Sequence, residues 1–261
     1  MSGALILCGI ILISSLPIIA VYIWFHFAKY QFSLYRFLFA LLAGAAAFFP
    51  ALILQALLTF TFQSARTVIF FQHFIRIALS EELSRLLLLL IFFLISSRIK
   101  HNSGQLSDSP QPSFGTIKKA TATGLVAGLG FALLESAVYA ASDIRVLPLR
   151  IIITAAVHGA CGSRIGAAAV LLRTNPFQAI IRILTATAIH GIYNMLIIMP
   201  GFSPVAAILI AVSALFSSIV IIRGGWLGEL AENTADPMPA NPPPNEPLPD
   251  MVDKNENNSV N

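Results

Sequence analysis

Charge is scarce in this sequence. Asp, Glu, Lys and Arg make up 11% of 261 residues, hydrophobic residues make up 57%, and mean hydropathy is +0.81. A soluble domain carries about 25% charged residues. This composition cannot build a water-facing surface, so most of the chain must be covered by lipid. Acids are scarcest of all. Residues 1–223 hold five, at Glu81, Glu82, Asp108, Glu135 and Asp143, against fifteen Lys and Arg. Residues 224–261 reverse the balance, with seven acids and one Lys. The basic residues are scattered singly between apolar runs, as in juxtamembrane loops, which excludes a nucleic-acid groove.

Cysteine is nearly absent. Cys8 and Cys161 both lie in apolar stretches, so no disulfide framework exists and no redox compartment can be read. A basic leader is missing too. The first apolar run, 4–28, has no basic start and outruns the apolar core of a signal peptide, so it is expected to be a retained span. Leu7 before Cys8 is also not the small residue that a lipoprotein signal wants.

Seven apolar runs are long enough to cross hydrocarbon, which takes about 20 residues each. They cover 4–28, 37–60, 77–97, 120–141, 151–172, 177–199 and 203–222, with Pro50 interrupting the second. A shorter amphipathic piece, Arg66–Arg76, is expected at the interface before the third. The expected fold is an all-α polytopic bundle over 1–223, with a polar loop at 98–119. The tail, 224–261, places seven prolines between Pro237 and Pro249 and is expected to be disordered and solvated. Lys and Arg in the short loops favour an N-terminus outside and a C-terminus inside, in the cytoplasmic membrane if the source is bacterial.

Against this apolar background, three acids fall within or at the edge of spans: Glu81, Glu82 and Glu135. A charged side chain near the bilayer centre costs about 2.5–3.5 kcal/mol on insertion scales. His158 and His190 lie in two further spans, with Asn194 one turn after His190. Reading alternate spans as antiparallel brings all of these to the same half of the bilayer, the outer half if the N-terminus is outside. Four helices can then share one wet cavity. Arg85, four residues after Glu81, is the one evident intramembrane cation and reads as a counter-ion. Gly124/Gly128 and Gly162/Gly166 form small-residue faces for close helix approach.

A Glu and a His at membrane depth suit the activation of water. The carboxylate takes its proton, the imidazole positions the water or protonates the leaving amine, and an Asn amide can hold an oxyanion. Glu81 and Glu82 project about 100° apart, so they are expected to divide the work. Equally, Glu82, His158 and His190 could ligate a catalytic metal such as Zn2+. Other membrane-protease chemistries lack their residues. There is no H-E-x-x-H, no Asp inside a span and no G-x-S-G. A Cys161–His158 nucleophile is sterically allowed, but a packed cysteine is the simpler reading.

Four segments resemble the PrsW-type intramembrane proteases, which share a superfamily with the CAAX prenyl endopeptidases and the abortive-infection membrane proteases. They are Glu81-Glu82-Leu83-Ser84-Arg85, with Arg where that family often has Lys; Gly130-Phe131-Ala132-Leu133-Leu134-Glu135, with Tyr139 a turn later; Arg150 leading to His158 and then Gly166; and His190-Gly191-Ile192-Tyr193-Asn194. The segments occur in order on separate expected helices. Glu135 follows Phe131 where the CAAX branch has His, which favours the PrsW branch. The resemblance implies cleavage of a membrane-embedded or membrane-proximal protein, in some members an anti-sigma factor cut outside the cytoplasm. It implies site roles for Glu81, Glu82, His158 and His190, supported by Arg85, Phe131, Glu135 and Asn194. The superfamily is described both as metalloproteases and as glutamic proteases.

Other readings stay open on the residues alone. The Glu pair could mark an interfacial helix end, Glu135 could be a structural hydrogen-bond partner, and His158 could join two helices. The whole could be a scaffold that binds a partner helix in the same cavity. A proton-coupled transporter would spread its polar residues through both bilayer halves. No feature of the sequence sets the oligomeric state.

Overall fold

The structure, a computed structural model, describes residues 3–30, 32–59, 64–102, 114–198 and 204–234. Among them there is no strand; every element is helical. Among the described residues six helical spans are long and apolar enough to cross a membrane: Leu5–Phe27, Leu34–Leu57, Thr116–Ser142, Ile144–Leu171, Pro176–Ile198 and Pro204–Gly224. Large apolar side chains such as Leu12, Phe27, Leu57, Phe177 and Phe216 point outward from them. On a soluble protein such a surface would aggregate; here it is what lipid covers.

Several spans are broken where the sequence gives a reason. The first divides into α1 (Gly3–Ser14) and α2 (Leu16–Phe27), with Pro17 in the first turn of α2, where a missing N–H costs nothing. Lys29, with φ of 51°, turns the chain after α2. Ser33 then caps α3 (Leu34–Ala46), accepting from the Arg36 amide at 3.3 Å. Pro50 sits in the first turn of α4 (Phe48–Leu57).

The third of the seven expected spans is α6 (Ser80–Asn102), which is not among those six; it carries Glu81 and Glu82 in its first turn and Arg85 next. The piece expected at the interface before it leads into it without a break, as α5 (Ala65–Phe70) and then a π-helical segment, Phe71–Leu79. After it come α7 (Phe114–Ser142), a single 3₁₀ turn, the short α8 (Leu147–Leu149), a second π-helical segment (Arg150–Thr154), α9 (Ala155–Leu171) and α10 (Pro176–Ile198). The final helix, α11 (Pro204–Thr234), runs past the boundary expected at 223. The rest of the tail, 235–261, and the middle of the expected loop, 103–113, lie outside the described residues.

The core is the crossing of α7 on α9. Most of the Thr116–Ser142 span is buried and little of Leu5–Phe27 is, so α7 is the axis around which the others gather. Its closeness to α9 is set by glycine. A Cβ on Gly124 would strike the Gly162 carbonyl, one on Gly128 the His158 carbonyl, and one on Gly166 the Ala120 carbonyl. Lipid offers no hydrophobic drive for helix association, so this backbone-to-backbone packing is what holds the pair. It also sets the register: Gly128 rests on the backbone of His158, and Glu135 lies two turns further along α7.

Candidate active site

Each π-helical segment ends shortly before site residues, Leu79 before Glu81 and Thr154 before His158. An i→i+5 turn holds an extra residue and rotates everything that follows, a device common at functional sites. Here it turns the first residues of α6 and α9 inward. Glu81, Glu82, His158 and His190 are 3%, 0%, 1% and 2% exposed, and Arg85 is fully buried. The structure brings all five together with Glu135 and Phe131.

The two histidines are held in the same way. His158 donates from Nε2 to Oε2 of Glu135 at 2.7 Å. His190 donates from Nδ1 to Oε1 of Glu82 at 2.9 Å. A carboxylate can only accept, so each imidazole carries its hydrogen on the nitrogen facing the acid. That leaves bare lone pairs on Nδ1 of His158 and Nε2 of His190. The rings are 4.9 Å apart, edge to face at 80°. Glu81 completes the group: its Oε2 is 3.6 Å from His190 Nε2. One ligand atom from each of Glu81, His158 and His190 lies within 4.8 Å of the others.

Unused donors mark this as a place for something to bind. Oε2 of Glu81 and Nδ1 of His158 are buried with no hydrogen-bond partner. Buried polar atoms are normally paired, so their gathering here, with Oε2 of Glu82 and Nε of Arg85 also unpaired, needs a reason. A His/His/Glu set, with each His oriented by a carboxylate through its other nitrogen, is the donor chemistry of a catalytic zinc. Charge agrees. Three carboxylates face two guanidiniums, so with neutral imidazoles the cluster has room for a cation. The sequence reading placed Glu82 in the ligand set; in the structure Glu81 is the carboxylate grouped with the histidines, while Glu82 bonds the far nitrogen of His190 and Arg85.

Around this group runs a shell of ion pairs. Arg85 reaches Glu82 at 2.7 Å and Glu81 at 3.6 Å, and donates to the His158 carbonyl at 3.4 Å. Its guanidinium lies 4.7 Å from the centre of the Phe131 ring, which in turn meets the His158 ring at 5.2 Å. Phe131 is therefore a platform for a buried cation as well as a wall of the imidazole site. Arg150 pairs with Glu135 and lies over the Tyr139 ring at 4.2 Å. A second intramembrane cation is thus present where the sequence reading saw only Arg85. Tyr193 and Thr154 share a hydrogen bond of 2.6 Å, tying α10 to the start of α9. Asn194 is half-buried one turn beyond His190, and its amide makes no hydrogen bond among the described residues.

Sequence reasoning missed Gln55. Its Nε2 donates to Oε1 of Glu81 at 3.2 Å, while Nε of Arg76 donates to the Gln55 carbonyl at 2.7 Å. The available signal was a lone amide in an otherwise apolar run. Cys161 is packed in the core, its thiol 3.4 Å from the Ala186 carbonyl.

One family model matches residues 33–222, well over half of the chain, and its description is PrsW family intramembrane metalloprotease. Comparison with curated proteins and with solved structures finds no match.

Proposed function

We propose that this chain, which belongs to the PrsW family of intramembrane metalloproteases and is a membrane peptidase, cuts its substrate with a water held between Glu81, His158 and His190. The observation that carries this is the convergence of those three side chains within 4.8 Å, with buried donor atoms left unpaired in front of them.

The residues divide the work by what they already touch. Glu82 and Glu135 hold the imidazoles in one tautomer, so that His190 Nε2 and His158 Nδ1 present lone pairs to the shared space. Gln55 holds Oε1 of Glu81, leaving Oε2 to face that space. Oε2 is the acceptor for the proton of the attacking water. Asn194, with its amide unpaired, is assigned the oxyanion of the tetrahedral intermediate. Arg85 and Arg150 are counter-ions of the acids and are given no contact with substrate. The same Glu81, His158 and His190 would hold a divalent ion such as zinc, which when bound supplies an acidified water and a Lewis acid for the scissile carbonyl.

The place of the cluster and the family resemblance together support a substrate class. Its groups come from the start of α6, the end of α7, the start of α9 and the end of α10, which is one half of the bilayer in an alternating bundle. With the N-terminus outside, that is the outer half. The reading is a single-span membrane protein, of the anti-sigma regulator type, cut near its outer end.

The test is cleavage of single-span substrates by the purified chain in liposomes, beside Glu81→Gln, Glu82→Gln, His158→Ala and His190→Ala. Loss in Glu81→Gln and both His variants is expected. Loss of wild-type cleavage on chelation, restored by zinc, would make Glu81 a ligand; cleavage indifferent to chelation would make it the base. Variants that cut as fast as wild type would remove the cluster from catalysis.

A further inference from the structure

A second polar site lies at the opposite end of the bundle. A cavity of about 410 Å³ opens between α9, α10 and α11, lined by Arg164, Gln178, Ile181, Arg182, Thr185 and Ile221. It stands near the end of α9, the start of α10 and the apolar end of α11, so it faces the half of the bilayer away from Glu81 and the histidines. Arg182 is six residues into α10, about 9 Å along the helix axis. From that depth its long side chain can reach the headgroup boundary by snorkelling.

Among the described residues, neither of its two arginines pairs with an acid. Arg164 donates to the Ala160 carbonyl at 2.8 Å, to Ser218 Oγ at 3.1 Å, to Ser217 Oγ at 2.6 Å and to the Ala214 carbonyl at 3.4 Å. All of these are neutral acceptors, and they fix the guanidinium in place without cancelling its charge. Arg182 is half-buried, and among the described residues no ion pair reaches either arginine. Elsewhere the chain does the opposite: Arg85 and Arg150 each meet carboxylates. Two uncompensated guanidiniums beside one cavity, with amide and hydroxyl groups at Gln178 and Thr185, call for an anion with several acceptor oxygens. The cavity wall also carries Ile181, 47% exposed on the lipid side, which suits an acyl chain leaving the site.

We propose that this cavity binds the phosphate of an anionic membrane lipid, with Arg164 and Arg182 as its recognition groups. Basic pockets between membrane helices take lipid headgroups in this way. The lipid would join α9, α10 and α11 at the leaflet surface, and the proposal does not depend on the proteolytic reading.

Native mass spectrometry of the full chain, loaded with dioleoyl phosphatidylglycerol or dioleoyl phosphatidylcholine, tests it. Retention of phosphatidylglycerol over phosphatidylcholine is expected, weakened about fivefold in Arg182→Ala. Arg182→Lys should recover part of it, and Arg173→Ala, at an exposed residue just after α9 and outside the cavity lining, should lose none. Thermal unfolding of each variant separates lost binding from lost folding. Equal retention of the two lipids, or an Arg182→Ala variant that folds and retains phosphatidylglycerol as wild type does, overturns the proposal. So does displacement of the lipid by an equal concentration of inorganic phosphate, which would assign the cavity to a free phosphate. Phosphatidylglycerol retained only after the seven tail acids are changed to amides would give the cavity to the chain's own tail.

Discussion

His158 and Glu135 are bonded at 2.7 Å across the close crossing of α7 and α9. Glu135 accepts from Nε2, and Nδ1 is therefore the nitrogen that faces the shared space. The acid does not need to touch substrate to matter, because it decides which end of the imidazole carries a lone pair.

Glu135→Gln should therefore slow turnover about 10–100-fold. The loss should fall on kcat more than KM, beside some loss of stability because Arg150 loses its carboxylate. A Gln can still meet Nε2, but it no longer anchors Arg150 or fixes the tautomer. Full activity in this variant would leave Glu135 a structural acid only.

Gln55→Ala releases Oε1 of Glu81 and lets the carboxylate turn. Activity should fall about tenfold, the equivalent of one positioning hydrogen bond to a charged group. Gln55→Glu should be worse, since it sets a carboxylate against a carboxylate. Cleavage kinetics of the two variants side by side make the check; an Ala variant as fast as wild type would dismiss Gln55.

Arg85 is the counter-ion of the Glu pair and is fully buried. Arg85→Ala leaves buried acids without their cation and should cost about 3–5 kcal/mol of stability. Arg85→Lys keeps the charge but not the guanidinium plane that lies on Phe131, and should fall between the two. Unfolding in detergent, followed by circular dichroism, reads both. Stability unchanged in Arg85→Ala would mean that the acids have another partner.

Gly128→Ala puts a methyl group into the His158 carbonyl. Overpacking of this kind costs about 1–3 kcal/mol, and it should also cut activity by moving His158 relative to Glu135. Gly9→Ala, which meets nothing within 4 Å, is the matched control. Equal stability of the two variants would contradict the close α7–α9 crossing.

Metal content gives an independent reading of the Glu81, His158, His190 group. The purified chain should bind zinc near one equivalent, and His158→Ala and His190→Ala should each lower the occupancy at least tenfold. Elemental analysis after dialysis decides it. Wild type without zinc, yet active, would favour a glutamate mechanism.

Membrane spans were legible in the sequence because a run of about 20 apolar residues has one physical outcome in lipid. The charged exceptions stood out for the same reason: an apolar chain that keeps Glu81, Glu82 and Glu135 at depth must have a use for them or a partner for each. Pro50 signalled the break near Ala47, whereas the one at Ser15 was harder to see, because hydropathy does not sense a local backbone turn. The two π-helical segments were invisible, because one added residue per turn leaves the composition of a span unchanged.

Sequence alone determined that this chain lives in lipid as helices, that its few buried acids and histidines are where chemistry is concentrated, and that their motifs are of the PrsW kind. Partnership was decided only by the tertiary structure. Which acid meets which histidine, that Arg150 rather than a solvent loop answers Glu135, that Glu81 rather than Glu82 joins the two imidazoles, and that Gln55 belongs to the site all depend on helix rotation and depth. Those are set by glycine crossings and π turns between residues far apart in the chain, where an ångström or a fraction of a turn exchanges one hydrogen-bond partner for another.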